Sequence, residues 1–322
     1  MPELQLIKVE DVFVKVETTP GTDAVPTGPD AVKLLGNGTL VVGAEIENAR
    51  PELQNLLLDD AAPLPVSAKF CELSLRGQVR GLGATYTTTT FPELHAVIQS
   101  GGFSTAFAAA AWTYDTITTG LKTVTAYCFH GLTDGAFMKH ALLAGRASSL
   151  GFHFVAGRAV EWAATIRGIF VQPSDTANIT PTYQSTDPPL WQGAASWVLN
   201  GLSPEMRRAS VVIPQSLTPR INANATDALS GYQPTGRAPT FEADFAAAKI
   251  ADLDAFTEWK NATARVLAIK AGAVAGNTFN IDADKAVLSQ APTYRDDGGL
   301  WLYGASGTLH PEGTKRVQLK FS

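Results

Sequence analysis

The sequence predicts a mainly β protein made of two tandem antiparallel β-sandwich or open-barrel domains, each with one short packing helix. Three observations lead there. Alternating apolar and polar residues dominate the chain, helical periodicity is confined to two short stretches, and a set of features recurs in one order in both halves.

Residues 4–16 alternate as a strand, then break at 17–30, a Pro/Gly/Thr/Asp cluster that must turn or extend. Residues 39–48 read as a strand with an acidic far face, and 50–65, with three prolines, as a long excursion. The run 69–80 is a half-buried strand. Pro92 suits a first helical turn, Leu94, Val97 and Ile98 share a face, and Gly101 or Gly102 can cap the end, so 92–100 reads as the first helix. From Leu121 to Val171 only strands are expected, with a Thr133-Asp134-Gly135 turn making a hairpin. The polar, Pro/Ser/Thr-rich stretch 173–204 is the expected connector between domains 1–172 and 205–322.

After the connector the order starts again. Residues 209–220 match 39–50, each with a Val-Val pair and an Arg eight residues after the second valine. Each is followed by an excursion, a strand starting at Phe70 or Phe241, and a short helix, the second at 252–261. The later strands share a Trp and a Gly six residues apart, Trp162/Gly168 and Trp301/Gly307. So short a helix is unstable alone. Leu253, Phe256 and Trp259, like Leu94, Val97 and Ile98, therefore predict a lid over the apolar end of a sheet.

Composition excludes whole classes of function. The 322-residue chain has a net charge of -5, 17% charged residues and no basic run, so no phosphate-gripping surface is expected. Its 45% hydrophobic content supports a large core. Cys71 and Cys128 lie in strand-like stretches and read as buried free thiols. No apolar run approaches the ~20 residues of a membrane span. The N-terminus lacks a signal-peptide core, so folding in a reducing cytoplasm is expected. His95, His130, His140, His153 and His310 show no ligand or nucleophile–base spacing, and no phosphate loop or nucleophile elbow occurs. Neither catalysis nor a cofactor is expected. The acid pairs Asp59-Asp60 and Asp296-Asp297 read as solvated turns, with calcium as the alternative.

The stretch VETTPGTDAVP, residues 16–26, resembles the start of the tail tube proteins of long-tailed bacteriophages, which often carry a Glu-x-x-x-Gly-Thr signature. Residues 125–171 are similar to that family's tyrosine-rich strand, hairpin, GARG-like stretch (here Ala144-Gly145-Arg146-Ala147) and closing strand. Residues 235–281 resemble its second half, with a Gly-Arg-x-Pro strand, a short helix and an AGN hairpin.

The resemblance implies a structural virion protein of the tail, made in the host bacterial cytoplasm and stacked as rings into a tube. Its lumen would hold the tape measure protein and conduct DNA without specific binding, with tail terminator and distal tail proteins at the ends. Two domains per chain imply a pseudo-sixfold homo-oligomeric ring of three chains, with hexameric rings as the second choice. The acids Glu45, Glu47, Glu72, Glu242 and Asp244 are candidates to line the lumen, where like charge would repel DNA; the alternative is a merely solvated strand face. Arg50, Asp59, Asp60, Arg220 and Asp227, in the segments that match the family's stacking loops, are candidates for ring contacts. A carbohydrate- or surface-binding β-sandwich is the competing class and would need Trp191 and Trp197 exposed.

Overall fold

The computed structural model describes residues 5–36, 38–45, 67–132, 136–193, 196–199, 204–225, 227–247, 249–250, 254–310 and 317–322. Among them are seventeen strands, numbered in chain order, and two six-residue α-helices. The protein is mainly β, and its ladders are antiparallel.

The longest ladder runs β2 (Thr39–Glu45), β3 (Ser67–Gln78), β8 (Glu161–Thr176), β7 (Phe137–Val155), β10 (Met206–Ile221), β12 (Thr240–Ala246), β16 (Leu300–His310), β15 (Thr293–Asp297). A second runs β9 (Ser196–Leu199), β13 (Arg265–Ala271), β14 (Phe279–Leu288), β17 (Gln318–Phe321), β5 (Ala111–Thr116), β4 (Phe103–Ala108). Because β14 also pairs with β16, one hydrogen-bonded system passes from the first ladder into the second. β1 (Gln5–Val16) pairs with β6 (Val124–Leu132), which pairs with the first half of β7. β11 (Leu229–Arg237) returns along the outer half of β10 as a hairpin.

The two ladders meet through aromatic side chains. Phe152 on β7 lies 4.9 Å from Phe279 on β14, which lies 4.9 Å from Phe321 on β17; Tyr114 on β5 is 6.0 Å from Phe321. All four are buried, and each such side chain contributes ~1.5–3 kcal/mol by leaving water. One apolar cluster takes residues from Val12 to Phe321, and the β7–β10 and β5–β17 ladders cross 173–204. Residues 173–204 therefore join strands that share a core. Within them β8 continues to Thr176 and β9 adds a strand.

The recurring features have a partial structural counterpart. β2–β3–β8 and β10–β12–β16 are both three-stranded antiparallel ladders, and Gly168 faces Cys71 as Gly307 faces Phe241. A β-carbon at Gly168 would meet the Leu143 carbonyl oxygen at 2.5 Å; at Gly307 it would meet that of Val287 at 2.3 Å. Both positions demand glycine. The tryptophans do not correspond: Trp162 is fully buried over Gly77, whereas Trp301 is 62% exposed.

The helices differ too. In α1 (His95–Ser100), Ala96 through Ser100 are buried and the helix packs against β1, β4 and β7, as a lid should. In α2 (Ala255–Lys260) only Ala255 is buried and Trp259 is 40% exposed. Phe256 alone makes the expected contact, against Tyr294 and Tyr303. Leu253 lies outside the described residues. The expectation of two equivalent lids is corrected: α2 is held by its Asp254 cap and a Glu258–Arg265 ion pair of 2.7 Å more than by apolar burial.

Two further features have local causes. The β4–β5 hairpin turns at Ala109 and Ala110, both with positive φ (48° and 58°), without the Gly or Asn that announces such turns. β7 runs on as one strand of 19 residues past Ala144 (φ 50°), because the irregularity there is a bulge that the ladder survives.

Candidate functional surfaces

The motifs at 17–22 and 144–147 meet in space. Glu17 is only 2% exposed, at the end of β1. Its Oε2 accepts from the Gly21 N–H at 2.8 Å and the Thr123 hydroxyl at 2.6 Å. Its Oε1 accepts from the Thr125 hydroxyl at 3.0 Å and the Ala144 N–H at 2.8 Å. Gly21, at φ 80°, lets the chain turn back onto the carboxylate that binds it. Asp23 then accepts from the Tyr127 hydroxyl at 2.5 Å, so Thr123, Thr125 and Tyr127 pin the loop along one side of β6. Arg146 is 8% exposed and donates to the Lys122 carbonyl at 3.3 Å. Burial and then Arg220 pull its guanidinium pKa down, and the Glu17 charge opposes them. Glu17 is thus a buried joint between β1, β6 and the bulge in β7, and its placement serves structure.

Three lumen candidates share one face of the long ladder. Glu72 is opposite Arg167, Glu242 opposite Ser210 and Ser306, and Asp244 opposite Arg208 and Gly304. The side chains between them are small: Ser74, Thr165, Ser149, Gly151, Ala163 and Ser210 lie on the same side by register. Near the β15 end this face dips into a groove of about 550 Å³ that includes His153, Arg208, Glu242, Asp244 and Arg295.

Most of the charge on this face is paired. Asp244, 6% exposed, bonds Arg208 and, at 3.1 Å, Arg295. Glu72 lies 4.0 Å from Arg167, whose guanidinium stacks over Phe70 at 4.0 Å, and Glu161 binds Arg76 at 2.5 Å. Of these acids only Glu242 makes no ion pair among the described residues. The sequence offered these acids either as a repelling lumen or as a solvated strand face. The described residues instead balance Glu72, Glu161, Glu242 and Asp244 against Arg76, Arg167, Arg208 and Arg295, partners that sequence reading did not connect. The Glu45 side chain and Glu47 lie outside the described residues.

Of the contact candidates, Arg50, Asp59 and Asp60 are outside the described residues. Arg220 and Asp227 flank the tip of the β10–β11 hairpin. Arg220 is exposed. Asp227 binds Lys69 at 2.9 Å, and its carbonyl accepts from the Ala68 N–H. Tyr232, Leu229 and Ala68 form a small buried cluster with Phe70 and Ile169 beside it. The hairpin therefore lies back on β3 and β8 and is not a free arm.

Trp191 is 5% exposed and packs edge-on against Phe154 at 5.7 Å, so it offers no face to a sugar. The Trp197 side chain lies outside the described residues; among them the exposed aromatics are Phe91, Trp259, Tyr294 and Trp301, the last two 5.7 Å apart on the β15–β16 hairpin. Cys71 and Cys128 are free and buried, and burial pushes both thiols up, Cys71 to about 12. No group of three or more His, Cys, Asp or Glu is placed to hold a metal among the described residues, and no helix among them is long and apolar enough to cross a membrane. Compared with protein-family models and curated proteins, the chain matches no family model and no curated protein.

Proposed function

We propose that this chain is a structural wall subunit of a bacteriophage tail tube, made of two tube-type β units that share a core. The observation that carries the reading is the pair of open edges on the long ladder. Among the described residues β2 pairs only with β3, and β15 only with β16. Both ends carry exposed apolar side chains, Val41 and Val42 on β2, and Tyr294, Leu300 and Trp301 at β15–β16. A monomer normally blunts such edges. Two different edges joined head to tail make a heterologous contact, which closes into a ring when the rotation permits. Three chains with two units each give pseudo-sixfold symmetry; six chains are the alternative count.

On this reading the small, hydroxyl-rich, charge-balanced face lines the lumen. DNA would pass because its phosphates find each guanidinium already engaged by a carboxylate, leaving little counterion release to drive binding. The tape measure protein would fill the same space before ejection. Terminator and distal tail proteins would cover the ends.

Negative-stain microscopy and sedimentation of concentrated protein test the reading. Rings or tubes are expected, and Val41→Lys with Val42→Lys should leave a folded monomer. A wild type that stays monomeric at all concentrations would sink the proposal. The exposed Tyr294–Trp301 pair favours one other reading, a carbohydrate-binding surface on β15–β16. A glycan array separates the two, since Trp301→Ala would then abolish sugar binding.

A further inference from the structure

The β6–β7 hairpin carries two histidines for which the wall reading has no use. Its register sets Cys128 opposite His140 and His130 opposite Met138, so the two imidazoles lie diagonally across the ladder on one face. Their ring centroids are 4.9 Å apart, with the planes at 73°. Nε2 of His130 and both ring nitrogens of His140 are shielded from solvent and meet no hydrogen-bond partner among the described residues. His130 is 7% exposed and His140 half-buried.

Buried polar nitrogens are nearly always satisfied, because each orphan forfeits its hydration. Three in one pair of touching rings is a concentration that edge-to-face packing does not explain. An ion shared by both rings does. A zinc–imidazole bond is about 2.1 Å, and a ring nitrogen sits roughly 1.1 Å from its centroid, placing the ion roughly 3.2 Å from each centroid. With one nitrogen of each ring turned toward a common ion, centroids 4.9 Å apart would subtend roughly 100° at it, between octahedral and tetrahedral geometry. Burial pulls both imidazole pKa values down, with His140 adding to the effect on His130, which favours the neutral, ligating form of each ring.

We propose that His130 and His140 form a binding site for a divalent transition-metal ion of the zinc, nickel or copper class. These ions suit imidazole. No third protein ligand joins the pair among the described residues, so water that enters with the ion completes the coordination. The bound ion cross-links β6 to β7 close to the turn between them.

Full-length protein stripped with a chelator and titrated with Zn²⁺ or Cu²⁺ by calorimetry tests this. One ion per chain is expected at this site, with a rise in thermal midpoint on binding. His140→Ala should weaken binding at least tenfold and abolish the rise, while His153→Ala, on β7 but outside the pair, should match wild type. Absence of binding, or binding unchanged in His140→Ala, overturns the proposal. Should that variant misfold, paramagnetic resonance of Cu²⁺-loaded wild type decides. Hyperfine coupling to two imidazole nitrogens supports the site, and one or none refutes it.

Discussion

The Glu17 carboxylate accepts the Ala144 backbone N–H at 2.8 Å, joining the end of β1 to a bulge 127 residues later in the chain. Ala144 sits at φ 50°, a conformation costing an L-residue roughly 1–2 kcal/mol. The bulge in β7 turns its N–H toward the buried acid. Each feature accounts for the other: the bulge supplies a donor, and the carboxylate holds the bulge.

Glu17→Ala should therefore lower stability by about 3–5 kcal/mol, since it strips the acceptor from three buried donors and from the part-buried Gly21 N–H. Glu17→Gln should cost less but still more than 1 kcal/mol, as its amide nitrogen faces donors. Ala144→Gly should be neutral or stabilising and Ala144→Pro severely destabilising. Urea midpoints would check all four; a Glu17→Ala midpoint equal to wild type would refute the joint.

Glu93 and His95 should give opposing pH dependences. Burial raises the Glu93 carboxyl from 4.5 to about 7, against the Lys33 N–H and Arg80. Its stabilisation is full below pH 4.5 and is lost as pH rises through about 7. Burial lowers His95, bonded to Tyr114 at 2.8 Å, from 6.5 to about 4. Its stabilisation is present above pH 6.5 and lost as pH falls through about 4. Between these limits the two slopes partly cancel. Glu93→Gln should thus gain on the order of 1–3 kcal/mol relative to wild type between pH 4.5 and 7.5, read from thermal midpoints across that range. A pH-independent difference would contradict the assignment.

Asp244→Asn should expose the cost of its two arginines. Without the carboxylate charge, Arg208 and Arg295 face each other across a nearly buried amide. A loss of about 1–2 kcal/mol is expected, since both arginines are half exposed, and part of it is recovered at high salt. Equal stability in both proteins at low salt would show that the pairing contributes nothing.

The two tryptophans should separate cleanly. Trp191→Ala removes a buried ring against Phe154 and should cost about 3–5 kcal/mol. Trp301→Ala should leave monomer stability within about 0.5–1 kcal/mol and weaken ring or tube formation in sedimentation. The reverse pattern would remove the β15–β16 edge from the assembly surface.

By itself the sequence determined the mainly β class, the first helix, the buried thiols and the glycines of β8 and β16, while β4, β5 and β9 went unread. What it determined rests on side-chain period and backbone sterics, which are local. It also placed Glu72, Glu242 and Asp244 on strands. Only the tertiary structure decided which arginine each acid meets, because β12 finds β10 and β16, and β8 finds β3, across long loops. The same non-local pairing buried Trp162 and left Trp301 in water despite identical spacing to their glycines. It also drew both halves into one core across the Pro-rich connector. The Ala109–Ala110 turn escaped the sequence because the ladder on either side, and no residue preference, imposes its positive φ. Identity along the chain fixes which face a residue can take. The partner strand, set by burial of the whole apolar surface at once, fixes what that face meets.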